Sequence, residues 1–154
     1  MKLTRSLRRR GLWVLVAATA VLFAPIAATM ASADDAHSNR PLLTIMVGEQ
    51  EPAGGDADAI GLALIRIDTD TSTVCYLLLA HKIDGTIVAA HIHRAPAGVN
   101  GPIVVPLMAP VDGFSRACVT IAPALAAEIA GNPSGFYVNV HSTVFPGGAI
   151  RGQL

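Results

Sequence analysis

From residue 42 to residue 154 the chain consists of short apolar runs, separated by Gly, Pro, Asn and Asp at intervals of about eight to twelve residues. Alternating or continuous apolar runs of this length, bounded by turn residues, predict strands. Residues 42–47 (LLTIMV) form the first. In 61–68 (GLALIRID), Leu62, Leu64 and Arg66 fall on one face and Ala63, Ile65 and Ile67 on the other. A turn at 68–71 leads at hairpin distance into 73–80 (TVCYLLLA), which is apolar on both faces and predicts a strand buried on both sides. Asp84-Gly85 is a hairpin signal before 86–93 (TIVAAHIH). The loop 94–102 (RAPAGVNGP) separates that strand from 103–107 (IVVPL), and a short strand follows at 116–121 (RACVTI). Residues 123–130 (PALAAEIA) are the one good helix: Ala and Leu favour it and Pro123 suits its first turn. The Gly, Asn and Pro of 131–135 stop it. Residues 136–141 (FYVNVH) have strong β propensity, Phe145-Pro146-Gly147-Gly148 turns the chain back, and 149–154 (AIRGQL) is a last strand.

About eight short strands and one short helix predict an all-β fold, an antiparallel Greek-key β-sandwich of the immunoglobulin-like or superoxide-dismutase-like kind. Few aromatics are available, so the core must be mainly aliphatic. The segment 48–61 (GEQEPAGGDADAIG) is acidic and rich in Gly and Ala, and reads as a solvated connector. Asp56 and Asp58 lack the count and spacing of a calcium loop.

The first 33 residues read differently. Lys2, Arg5, Arg8, Arg9 and Arg10 precede an uncharged, mostly apolar run at 12–29, and Ala31-Ser32-Ala33 offers a small-residue cleavage site. This predicts a secretory signal peptide over 1–33 and a flexible leader over 34–41. The alternative is an uncleaved anchor, against which Pro25 and the cleavage site argue. Cleavage would leave six basic and eleven acidic groups, a formal net charge of −5, so nucleic acid is not an expected partner. No later apolar run is long enough for a transmembrane helix. An exported chain with two cysteines, Cys75 and Cys118, predicts a disulfide between them.

Two blocks carry a resemblance. The first is Ala89-Ala90-His91-Ile92-His93 followed by Ala97-Gly98-Val99-Asn100-Gly101-Pro102 and the apolar 103–107. The second runs from Asn132-Pro133 through Tyr137-Val138-Asn139-Val140-His141 to Ile150-Arg151-Gly152-Gln153-Leu154. Together they resemble the chordin-type (CHRD) domain, over 42–154, in a secreted single-domain form. Ala95-Pro96 departs from the glycine many members carry there. The resemblance implies a secreted β-domain and little about its chemistry; a non-enzymatic module that acts by binding is the first reading. It does not name a partner.

Side chains alternate along a strand, so His91 and His93 share a face, as do Tyr137, Asn139 and His141. If the two strands are neighbours, three imidazoles converge, and nitrogen ligands of this kind suit copper or zinc. His91, His93 and His141 are therefore a candidate mononuclear metal site, with a redox role as its enzymatic variant. Asn139, Arg151 and Asn100 are candidate supports in a polar network. A purely structural role remains open: His91 and His93 pinning the 98–101 loop, and His141 and Asn139 the 145–148 turn. A His-x-His strand also resembles the copper strand of Cu/Zn superoxide dismutase, but the loop 94–102 contains no histidine, cysteine or carboxylate, so dismutase chemistry is not expected. Ser134 and Ser142 lack a nucleophile-elbow context. The expectation is a secreted (extracellular or cell-envelope) module that requires no cofactor, binds an unknown protein or envelope partner, and has copper or zinc as its alternative ligand.

Overall fold

The computed structural model describes residues 41–154. The expected signal peptide over 1–33 and all but the last residue of the leader over 34–41 lie outside the described residues. The strands are β1 (Leu42–Val47), β2 (Ile60–Asp68), β3 (Thr73–His81), β4 (Ile87–Arg94), β5 (Ile103–Leu107), β6 (Phe114–Thr120), β7 (Phe136–Ser142) and β8 (Ile150–Gln153). One helix, α1 (Pro123–Gly131), lies between β6 and β7. It begins on Pro123 as expected, runs one residue further, and buries Ala126 and Ile129.

All pairings are antiparallel, in the order β5-β4-β7-β8-β1-β2-β3-β6. The β3–β4 and β6–β7 connections cross between distant strands of this order, as Greek-key connections do. The two edge strands, β5 and β6, are joined by 108–113 alone. Met108 N donates to the Tyr76 hydroxyl at 2.7 Å and Ser115 Oγ donates to Met108 O at 2.7 Å, which draws the edges together. The sheet is thus rolled into a flattened, nearly closed barrel, the all-β class expected. Its interior is aliphatic: Ala63, Ile65, Val74, Leu78, Ile92, Val105, Val138, Val140 and Ile150 are buried in one cluster.

Cys75 and Cys118 face each other in the β3–β6 register and form the expected disulfide. With the two cysteines 43 positions apart, the bond removes unfolded-chain entropy equivalent to about 4 kcal/mol. It fastens the edge strand β6 to β3.

Two expectations are corrected. Strand β3 buries only alternate residues: Val74, Tyr76, Leu78 and Ala80 point inward, whereas Leu79 is exposed and Leu77 half-buried. A nearly closed barrel has a single interior, so the outer apolar side chains of β3 have no second layer to pack against. The acidic segment 48–61 is also not a solvated connector throughout. It starts as a 3-10 turn (Gly48–Gln50) and buries Glu51 and Asp56. Asp56 N donates to Ala149 O at 2.8 Å, and Asp56 Oδ2 accepts from Asp84 N at 2.7 Å. Gly48 and Gly55 permit this, because a Cβ at either would run into the backbone of Asp56 or Ala149.

Candidate metal centre

The site lies on the outer face of the β4–β7 pair. In register, His91 is opposite Asn139, His93 opposite Tyr137, and Ala89 opposite His141. Directly opposed residues share a face, so all three histidines stand on one side. The small Ala89 leaves His141 room to lean diagonally toward His91. Among the described residues these three form the one cluster of His, Cys, Asp or Glu able to hold a metal, with one ligand atom from each lying within 4.8 Å of the others.

Hydrogen bonds fix the rings. His93 Nδ1 is 2.9 Å from Gly101 O, and His141 Nδ1 is 3.0 Å from Pro146 O. A carbonyl only accepts, so both Nδ1 atoms carry the hydrogen and, in a neutral ring, both Nε2 atoms are bare lone pairs. His141 Nε2 lies 3.2 Å from His91 Nδ1. Of the two remaining ring nitrogens, His93 Nε2 is buried and has no hydrogen-bond partner. An imidazole whose Nδ1–H is held by a backbone carbonyl while Nε2 stands free is the usual arrangement of a metal-ligating histidine. Two nitrogens bound tetrahedrally at about 2.1 Å from one ion stand about 3.4 Å apart. The His91–His141 pair is already close to that spacing, and His91 needs only to shift its proton to the other ring nitrogen.

Burial favours the neutral form of two of the rings, His91 and His141. Burial pushes the His91 imidazole down to about 4, and positive charge on His141 or His93 would push it the same way. Burial also lowers His141, partly offset by the Pro146 carbonyl. Neutral imidazoles are the form that binds metal.

Behind the histidines stands a stack. His93 lies flat on Tyr137, with centroids 4.7 Å apart and planes 9° apart. The Arg151 guanidinium sits 3.3 Å from the Tyr137 centroid; it comes from β8, on the other side of β7, and the two groups cannot share one face of the ring. Arg151 is 1% exposed and donates to Val99 O at 2.9 Å and Pro96 O at 3.0 Å. Gly101 N donates to the Tyr137 hydroxyl at 3.3 Å, and Gln153 Nε2 donates to Ala95 O at 3.0 Å. The loop 94–102 is therefore held from beneath by β7 and β8, and its Gly101 carbonyl in turn orients His93.

The predicted residues thus separate. His91, His93 and His141 are brought together, and Arg151 satisfies loop carbonyls. Asn139 makes no hydrogen bond to the 145–148 turn itself; its Nδ2 donates to Glu51 Oε1 at 3.3 Å, and that carboxylate lies against Gly148. Asn100 is exposed and makes no side-chain hydrogen bond to a described residue; it borders a cleft of about 270 Å³ beside Glu51, Pro146 and Gly148. Sequence reasoning passed over Glu51, whose burial raises its pKa against the lowering effects of Asn139 and Arg151.

Comparison with known proteins gives a family match alone. The family model of the CHRD domain matches residues 42–154. No curated protein and no solved structure matches the chain.

Proposed function

The chain belongs to the CHRD-domain family, and on that footing we propose that it is an exported, non-enzymatic binding module carrying one copper or zinc ion on His91, His93 and His141. The observation that carries this reading is the free, buried Nε2 of His93 beside the His91–His141 pair. A buried acceptor without a partner costs about 1–3 kcal/mol, a cost that a bound ion removes. Pure scaffolding accounts for the Nδ1 bonds but leaves that nitrogen without a purpose.

The ligand set is all imidazole, which suits copper or zinc over magnesium or calcium. Binding without turnover accords with the family, which is not a known enzyme family. It also accords with the loop 94–102, which brings no acid or base to the histidines. CHRD domains are typically extracellular, and the disulfide is consistent with an oxidising compartment. The export segment over 1–33 completes the secreted reading, and the partner of the module is a protein or envelope component.

Calorimetric titration of chelator-treated protein with zinc and with copper tests the reading. The expected result is one saturable site per chain, lost in the His91→Ala/His93→Ala/His141→Ala variant while its circular dichroism stays native. Absence of saturable heat in the wild type would sink it.

A further inference from the structure

The outer face of β1, β2, β3 and β6 is an apolar field. In register, Ile45, Leu62, Leu79 and Phe114 form one row across the four strands, and Leu43, Leu64, Leu77 and Arg116 form the next. Ile60 extends the field at one end, and Arg66 and the Cys75–Cys118 disulfide bound it at the other. Exposure runs from 65% at Leu43 and 58% at Ile45 to 49% at Phe114, 48% at Ile60, 43% at Leu79 and 36% at Leu64. Half of the large apolar side chains exposed on the described chain therefore lie on this one face.

The concentration has a thermodynamic meaning. These six side chains leave on the order of 600 Å² of contiguous apolar surface, at the top of what a monomer shows in one patch. Antiparallel sheets that face water on one side are polar on that side, and this one is not. Two shallow apolar depressions, of about 390 Å³ beside Leu64 and Leu77 and about 410 Å³ beside Ile45, Ile60 and Leu79, lie toward opposite ends of the face. A two-fold axis through the middle of the face would exchange these ends.

We propose that this face is the interface of a homodimer, closed by a second copy of the same chain in an isologous, sheet-on-sheet contact. Burying the patch on both copies removes about 1,200 Å² in total, the size at which specific interfaces become stable. Sheet faces pack at about 10 Å with strands nearly aligned, and interdigitating aliphatic side chains fill that gap. A two-fold contact is self-complementary, so the same residues serve on both sides. The histidine site lies on β4 and β7 and shares no residue with this face.

Protein expressed from the full chain and purified from the exported fraction should sediment at twice the mass of one chain at tens of micromolar. Leu64→Glu and Leu79→Glu, both at outward-facing positions, should each weaken association by at least about tenfold. Val88→Glu, at an equally exposed apolar position on β4, should leave the mass of the dimer unchanged. A wild type that sediments as one chain overturns the proposal, including when it binds lipid vesicles or another protein through this face. So does a dimer that Leu64→Glu and Leu79→Glu leave intact while the variants keep native circular dichroism.

Discussion

Arg151→Met is the perturbation that most sharply connects the fold to the site. Methionine preserves much of the aliphatic volume in a position that is 1% exposed, so the change isolates the guanidinium. Two charge-assisted hydrogen bonds to loop carbonyls are lost, to Val99 O and Pro96 O, together with a longer one to Gln153 Oε1 at 3.4 Å and the stacking on Tyr137. Each such bond contributes about 1.5 kcal/mol net and a desolvated cation–π contact about 1–2 kcal/mol. Relief from burying the charge offsets part of this, while Glu51 loses the positive charge that favours its carboxylate form. The net expectation is about 3 kcal/mol of destabilisation, or roughly 10–15 °C in Tm for a domain of this size. Because Gly101 O orients His93, loosening the loop should also weaken zinc binding by about 10- to 100-fold. Arg151→Lys should fall between wild type and Met, since an ammonium cannot span two carbonyls or stack flat. Thermal unfolding by circular dichroism gives the stability, calorimetry the affinity, and hydrogen exchange at the Val99 and Gly101 amides the state of the loop. A variant within 0.5 kcal/mol of wild type, with both amides still protected, would refute the claim that Arg151 holds the loop.

Three further outcomes follow from the same structure. Cys75→Ala/Cys118→Ala should lose about 4 kcal/mol, read as a drop in the urea midpoint with a steeper slope, because the freed unfolded chain exposes more surface; a loss below 1 kcal/mol would contradict the loop-entropy account. Glu51→Gln keeps an acceptor for Asn139 and removes a buried charge, so at pH 7 it should be neutral or stabilising by up to about 1 kcal/mol in thermal unfolding. The sign with pH follows: the folded pKa of Glu51 is raised above 4.5, so the folded state takes up the proton first. Its contribution to stability therefore grows as pH falls through that raised value toward 4.5 and is absent at higher pH. The difference in stability between wild type and Glu51→Gln should shrink over that window; a constant difference would show that the carboxylate is not titrating there.

Much of this was legible along the chain. Period-2 alternation placed the strands within a residue or two, because a one-residue slip would turn Ile92, Val138 and Val140 out of the core. The shared face of His91 and His93 followed from spacing alone. Their meeting with His141 did not, since it depends on β4 and β7 pairing across some fifty residues, and spacing carries no information about non-local pairing. The acidic segment was misread because Glu and Asp among glycines ordinarily face water. Here Gly48 and Gly55 let the backbone close down until Glu51 and Asp56 are covered. Strand β3 was misread for the opposite reason: Leu77 and Leu79 look like core, and a run of leucines does not say whether its second face meets the interior or another molecule. Asn100 sits beside the right residues in sequence, yet it lies in the exposed tip of the loop, next to the exposed Val99, and faces solvent.

The central claim is that three imidazole nitrogens of one chain hold a single ion. X-ray absorption on protein loaded with one equivalent of zinc measures it directly. The account predicts about three imidazole nitrogens at 2.0–2.1 Å, with the multiple-scattering signature of the rings, and a fourth light atom completing a tetrahedron. Loss of imidazole scattering in His93→Gln would tie the signal to this site. A first shell of six oxygens, or one histidine and solvent, would contradict it.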